Sequence, residues 1–283
     1  MQAERLLAAG AELAEGPVWD TQAQEVVWVD VLAGQINRLS LSGQVGSPTQ
    51  MSTSVGALAF TATNSWLAAT PDGLCRLDDR SLVVGLPLQA PDLRMNDGKV
   101  DPQGRFVGGT MTTGRPRKGA GSLWSFGGAG VRMLVDGVTI SNGLAWSADG
   151  CTMFYVDTPT QRIDAFDYDP SSGVVANRRP WAHIPSEMGA PDGMCIDVEG
   201  GLWVALWGGS AVVRLIDGTV TERIEVPTPQ VTCPAFAGPK LDQLVITTAA
   251  IGLDPCPDGA GDIYICTPGV AGTLANPLGS WAN

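Results

Sequence analysis

Residues 190–197 read "APDGMCID". A carboxylate, Asp192, stands just before a glycine and an apolar run of strand character. Such a charge is costly to bury unless something pairs with it. The same shape recurs as "AEGPVWD" from Ala14, "VGALAFT" from Val55, "MNDGKVD" from Met95, "SNGLAWS" from Ser141 and "TCPAFAG" from Thr232. Each has a turn-like start, a few mostly apolar residues, then a small or polar one. Aligned on that last residue (Asp20, Thr61, Asp101, Ser147, Asp197 and Ala237), the copies lie 40 to 50 residues apart. Five positions earlier stand Glu15, Gly56, Asn96, Asn142, Asp192 and Thr232.

Each copy continues alike. A second apolar run follows, such as "EVVWVDV" at 25–31, "CTMFYVD" at 151–157 or "GGLWVALW" at 200–207. A third follows, such as "QRIDAFDYD" or "GDIYICT", and a fourth in most units, such as "VRMLVD" at 131–136. Short apolar or alternating runs bounded by Gly, Asp, Asn and Pro are strand signals. Six units of this period with four strands each predict an all-β fold, a six-bladed β-propeller with four-stranded blades. No linker or composition shift divides the chain, so residues 1–283 read as one domain. A two-domain β-sandwich is the alternative, and it leaves the regular spacing unexplained.

Composition narrows the function. Seventeen basic against 29 acidic residues give a net charge of −12. That argues against a nucleic-acid surface or an anionic membrane, and it tolerates a bound cation. The start, MQAERLLAAGAELAEG, carries Glu4 and Glu12 and does not read as a signal peptide. No apolar run has the length of a membrane span. The six cysteines lie far apart without a CxxC pair, which reads as reduced thiols in a cytoplasmic protein. The single histidine, His183, excludes a His-rich metal site and reads as a surface or packing residue. No nucleophile elbow, phosphate loop or dinucleotide fingerprint is present.

In a propeller the first strand of each blade lines the central channel, so equivalent repeat positions form a ring. Glu15, Asn96, Asn142 and Asp192 are therefore expected to converge at one channel mouth, with Gly56 and Thr232 completing the circle. These are oxygen donors. Two converging carboxylates repel unless one is protonated or a cation lies between them. All-oxygen sets favour hard divalent ions such as Ca2+, Mg2+ or Mn2+. Asp192 is accordingly expected to share a metal with Glu15 and Asn142. The competing reading is that Asp and Asn before Gly are ordinary turn formers.

The motifs "LAEGPVWD", "RMNDGKVDPQGRFVGGTM", "ISNGLAWSADG", "IDAFDYDPSSGVVANRR" and "PDGMCIDVEGGLWVALWGG" lie in one order along nearly the whole chain. In them the sequence resembles the regucalcin (senescence marker protein)/gluconolactonase family of six-bladed propellers. The resemblance implies one divalent metal and hydrolysis of sugar lactones. It implies Glu15, Asn142 and Asp192 as metal ligands, and Arg94 and Asn96 as substrate contacts. Ca2+ is favoured by the oxygen ligands, and Zn2+, Mn2+, Mg2+ and Fe2+ are alternatives. Some relatives carry an acidic substrate contact just after "GTM". Here Thr112, Thr113 and Gly114 stand there, followed by Arg115, Arg117 and Lys118. That loop reads as a solvated segment or as a lid whose cations prefer an acidic lactone.

The expected chemistry is opening of a cyclic ester to the aldonic acid. The metal acts as Lewis acid and water activator. Asp192 is the expected general base; the alternative makes it a ligand only. Arg94 offers a planar fork of donors and Asn96 both donates and accepts, which suits a polyol. Arg94 could instead pair with Asp92 or Asp97, and Asp97 could hold the turn or orient a ligand. Trp19, Trp146, Trp203 and Trp207 read as packing between blades. The competing functions are a phosphotriester or other ester hydrolase on the same propeller, and a calcium-binding propeller without turnover.

Overall fold

A computed structural model describes residues 1–87 and 91–279. The described residues form six antiparallel sheets of four strands each, a six-bladed β-propeller. The innermost strands are Ala14–Asp20, Ala57–Phe60, Leu93–Val100, Ser141–Trp146, Ala190–Ile196 and Val231–Ala237, in blades one to six. They coincide with the six aligned repeats. In blades one to five the remaining strands follow outward in chain order.

Blade six is closed differently. It takes three strands from 231–266 and its outermost strand, Glu4–Leu7, from the start of the chain. The sequence period could not reveal this, because Glu4–Leu7 lies outside the repeats. Arg5 fastens the join, pairing with Asp258 at 2.8 Å and Asp262 at 3.1 Å. Joining the two ends of the chain in one sheet leaves the wheel without a free seam.

The core is divided as the wheel is. Among the described residues, six apolar clusters each fill one interface between neighbouring blades. Between blades four and five, for example, Val156 and Ile163 face Met194, Val204 and Val213. Three of the conspicuous tryptophans, Trp19, Trp146 and Trp203, are buried in these interfaces, as the packing reading expects. His183 ends the exposed outer strand of blade four.

One local expectation is corrected. The Glu-Gly, Asn-Gly and Asp-Gly pairs are not turns ahead of the inner strands; they lie within them. The strand ladder gains one extra residue at Glu15–Val18, Met95–Gly98, Asn142–Leu144, Pro191–Met194 and Val231–Cys233. These are β-bulges, which bend a strand and re-aim a side chain. The glycines are needed for close approach of neighbouring blades. A Cβ on Gly143 would stand 2.6 Å from the Asp192 carbonyl oxygen, and one on Gly56 2.5 Å from that of Met95.

Candidate functional site

The bulges bring the predicted residues together at one end of the channel. Asn96 Nδ2 donates to Asn142 Oδ1 at 2.9 Å and to the Ser141 carbonyl at 2.8 Å. Asn142 Nδ2 donates to Thr158 Oγ1 at 2.8 Å, and that hydroxyl donates to the Pro191 carbonyl at 2.9 Å, next to Asp192. Blades three, four and five are thereby tied in one chain of hydrogen bonds. Thr232 turns away from this purpose: its hydroxyl donates to the Ala14 carbonyl at 2.6 Å.

The two ring carboxylates are buried, Glu15 at 6% and Asp192 at 5% exposure. Glu15 Oε2 accepts from the Gly16 amide at 2.9 Å. Burial pushes the Glu15 carboxyl well above the ordinary range, and the charges of Asp192 and Asp97 add to the rise; the Gly16 amide and Arg94 oppose it. Burial likewise raises Asp192, with Asp97 adding and only the Gly193 amide opposing. Asp97, from the same bulge as Asn96, is raised by burial and drawn down by Lys99 and the Gly98 amide. None of the three forms an ion pair among the described residues; Arg94 and Lys99 act on Glu15 and Asp97 through their charge alone.

Arg94 does not pair with Asp92 or Asp97. Asp92 is held by Arg117 at 2.7 Å on the surface. The Arg94 guanidinium, 6% exposed, instead donates to the Met95 carbonyl at 3.0 Å, Asn96 Oδ1 at 2.8 Å and Met111 Sδ at 3.3 Å. Burial lowers its pKa to about 10, with Glu15 resisting, so it stays charged at neutral pH. Those three bonds leave two of its five N–H donors without an acceptor among the described residues.

The donor chemistry suits a hard divalent ion. Two buried, uncompensated carboxylates and an amide oxygen are oxygen ligands of the kind such ions take. The Asn142 amide is fixed by Thr158 so that its oxygen faces Asn96 rather than its nitrogen. The set is sparse, however. Among the described residues no three His, Cys, Asp or Glu side chains converge to hold a metal by themselves. A cation held here would need Asn142 for a third protein oxygen beside Glu15 and Asp192.

Sequence reasoning missed Thr158, which sits in a short helical turn, Thr158–Thr160, outside the repeat pattern. It also left Asp97 open, although the adjacent "ND" pair was its signal. The basic loop is anchored rather than loose. Thr112 Oγ1 donates to the Arg115 carbonyl and accepts from the Arg117 amide, at 3.0 and 3.1 Å. The six cysteines are unpaired. Among the described residues no helix is long and apolar enough to cross a membrane.

The chain is similar to known proteins over most or nearly all of its length. A family described as the SMP-30/Gluconolactonase/LRE-like region matches residues 13–250. Regucalcin of Macaca fascicularis is 35% identical over 286 residues, 95% of each chain. The Bacillus subtilis protein YvrE, which its name proposes to be a sugar lactone lactonase, is 39% identical over 246 residues, 84% of each chain. The crystal structure of a calcium-binding protein, regucalcin, from Agrobacterium tumefaciens superposes with a TM-score of 0.90. It is 30% identical, and the match covers 98% of this chain and 97% of that one. The chain belongs to the regucalcin/SMP-30/gluconolactonase family.

Proposed function

We propose that the protein is a single-domain, divalent-metal-dependent lactonase that opens a sugar lactone to its aldonic acid. The observation that carries this reading is Asp192, a buried carboxylate raised by burial and lacking a cationic partner, beside Glu15 and the oriented amide of Asn142. The names of the relatives point the same way, since lactonase and calcium-binding proteins are among them.

Glu15, Asn142 and Asp192 would hold the metal, with Ca2+ favoured by oxygen-only donors. When bound, a divalent cation supplies Lewis acidity to the lactone carbonyl and favours ionised carboxylates around it. The chain's own residues do the rest. Arg94 and Asn96 hold substrate hydroxyls or the ring oxygen with their remaining donors. Asp192 accepts the proton of the attacking water as its oxygen bonds to the carbonyl carbon. The ring C–O bond then breaks, and the proton passes to the departing alkoxide, which leaves as a hydroxyl. A phosphotriesterase relying on histidine is disfavoured by the place of His183 on an outer blade edge.

The test is acid release from glucono-1,5-lactone, followed by a pH indicator across a panel of divalent metals, with and without chelator. Asp192→Ala and Asn142→Ala are expected to lose metal affinity and turnover while keeping the circular-dichroism spectrum. A removed base alone lowers the rate by about 10² to 10⁴. Full turnover by metal-free Asp192→Ala defeats the proposal. Metal binding with no acid release from any aldonolactone favours the calcium-binding propeller instead.

A further inference from the structure

Behind the ring of oxygen side chains the channel widens into a chamber of about 430 Å³, lined by all six blades. This volume lies within the range of roughly 300 to 1,000 Å³ typical of small-molecule sites. The chamber faces the end of the channel opposite the candidate lactone site. Its walls are mostly apolar: Val18, Leu58, Phe60, Leu144, Ile196 and Phe236 come from the inner strands of five blades, while the sixth, Leu93–Val100, brings Asp97 and Lys99 to the lining. Val18, Phe60 and Ile196 keep partial exposure, so solvent reaches the chamber.

The last described segment forms a strap across this end. On one side the Gly272 amide donates to the Leu241 carbonyl at 2.8 Å. On the other the Leu278 amide donates to the Phe60 carbonyl at 2.6 Å, and Asn276 Nδ2 to the Val100 carbonyl at 3.2 Å. Between these anchors residues 273–276 line the chamber, and Leu274 remains 58% exposed.

One cation enters this apolar space. Lys99 Nζ donates to the Met194 carbonyl at 2.6 Å and forms no ion pair among the described residues. An ammonium has three donors, so two are left; Asp97, which also lines the chamber, attracts the charge of Lys99 without forming an ion pair with it among the described residues. A polyhydroxylated sugar would leave most of its hydroxyls unbonded against the apolar part of these walls. A ligand with one anionic end and an apolar body matches both features.

We propose that this chamber is a second ligand site, for a small apolar monocarboxylate whose carboxylate meets Lys99 and whose hydrocarbon lies along the blade walls. The site is independent of the lactone reading. Its test is calorimetric titration of the whole protein with octanoate and, in parallel, with octanol. One octanoate per chain is expected, at least tenfold tighter than octanol. Lys99→Met is expected to bring octanoate down to the octanol level. Ala235→Phe, which fills the chamber from its wall, is expected to abolish binding of both. Equal affinity of the acid and the alcohol for the unaltered protein overturns the proposal without recourse to any variant. So does an absence of octanoate binding, or binding that a folded Ala235→Phe protein retains.

Discussion

Asp192 and Asp197 lie in one inner-strand repeat, five residues apart, and the protein treats them in opposite ways. Asp197 Oδ1 accepts from the Glu199 and Gly201 amides at 2.9 and 2.8 Å. Its Oδ2 accepts from Trp203 Nε1 and Arg214 Nε, both at 2.8 Å. No side chain among the described residues donates to Asp192. Blade one repeats the contrast: Asp20 is met by Arg38 at 3.1 Å and by two turn amides, whereas Glu15 has a single amide. In blade three Asp101 is held by Arg105 at 2.6 Å and by the Tyr168 hydroxyl, while Asp97 is left to burial and one adjacent amide. Carboxylates at the strand ends close turns and pin neighbouring strands. Those in the bulges are buried with one adjacent amide each and no ion pair among the described residues. Both sets of side chains are buried, so the difference between them lies in how far their hydrogen-bonding capacity is met.

Removing each member of the pair should therefore do opposite things. Asp197→Ala leaves the Arg214 guanidinium, Trp203 Nε1 and two amides without their acceptor. The expected loss is on the order of 3 kcal/mol, because one half of a buried ion pair remains. Glu199 and Glu222, at 2.6 and 2.8 Å from Arg214, soften that loss. Asp192→Ala in metal-free protein should cost no stability, since it deletes an uncompensated charge. Urea unfolding of the two variants side by side measures the gap. Equal destabilisation would erase the distinction between the two rings.

A smaller effect tests how the functional end is oriented. Thr158→Val removes the acceptor that fixes the Asn142 amide and leaves the blade interior unchanged. Outer partners of metal ligands are worth about 10 to 100-fold in affinity. That loss is expected in a divalent-metal titration with an unaltered unfolding midpoint. Metal affinity equal to that of the unaltered protein would show that Asn142 needs no such support.

Thr158 also shows where the sequence stops being legible. The wheel, its inner strands and the convergence of Glu15, Asn96, Asn142 and Asp192 follow from a period, and a period is a property of the chain alone. Thr158 comes from a connection whose length differs between units, so no alignment of repeats selects it. The closing strand Glu4–Leu7 lies before the first repeat and acquires its role only by pairing with Ile263–Cys266. The bulges were hidden for another reason. A polar residue followed by Gly is favoured both in a turn and in a bulge, and only the register with the second strand separates the two. The lower chamber is a property of six strands together and has no motif.

The two rings should also respond oppositely to pH. Glu15 and Asp192 have raised pKa values in the folded state, so above about pH 4, the ordinary carboxylate value, the unfolded chain gives up protons that the folded one retains. Stability then falls as pH rises toward the folded values. Asp20 is lowered, by turn amides and Arg38 against the cost of burial, so its contribution is present above the ordinary value and lost on acidification. In metal-free protein, Asp192→Asn should raise the midpoint by a few degrees near neutral pH and by nothing near pH 4, given about 2 to 4 °C per kcal/mol for a chain of this size. Thermal scans from pH 4 to 8 check this. A midpoint difference that is constant across the range would mean that Asp192 ionises in the folded state as it does in the unfolded one.

The smallest expected effect lies at the rim, where the comparison has a third case: a charge pair exposed to water. Arg117 and Asp92 are 2.7 Å apart with side chains 59% and 42% exposed. Exposed pairs contribute about 0 to 1 kcal/mol, so Arg117→Gln should leave the unfolding midpoint unchanged within error. Its influence should show on charge at a distance instead. Neutralising Arg115 and Arg117 together should lower kcat/KM for an anionic lactone relative to a neutral one by about threefold, an effect of rim-charge size. Added salt should shrink it, because screening acts within about 10 Å at 0.1 M. Kinetics on a neutral and a carboxylate-bearing aldonolactone, at low and high salt, decide the matter. Identical ratios for the unaltered and doubly neutralised proteins would reduce the basic loop to a surface segment pinned by Thr112 and Asp92, leaving Arg94 as the cation at the ring.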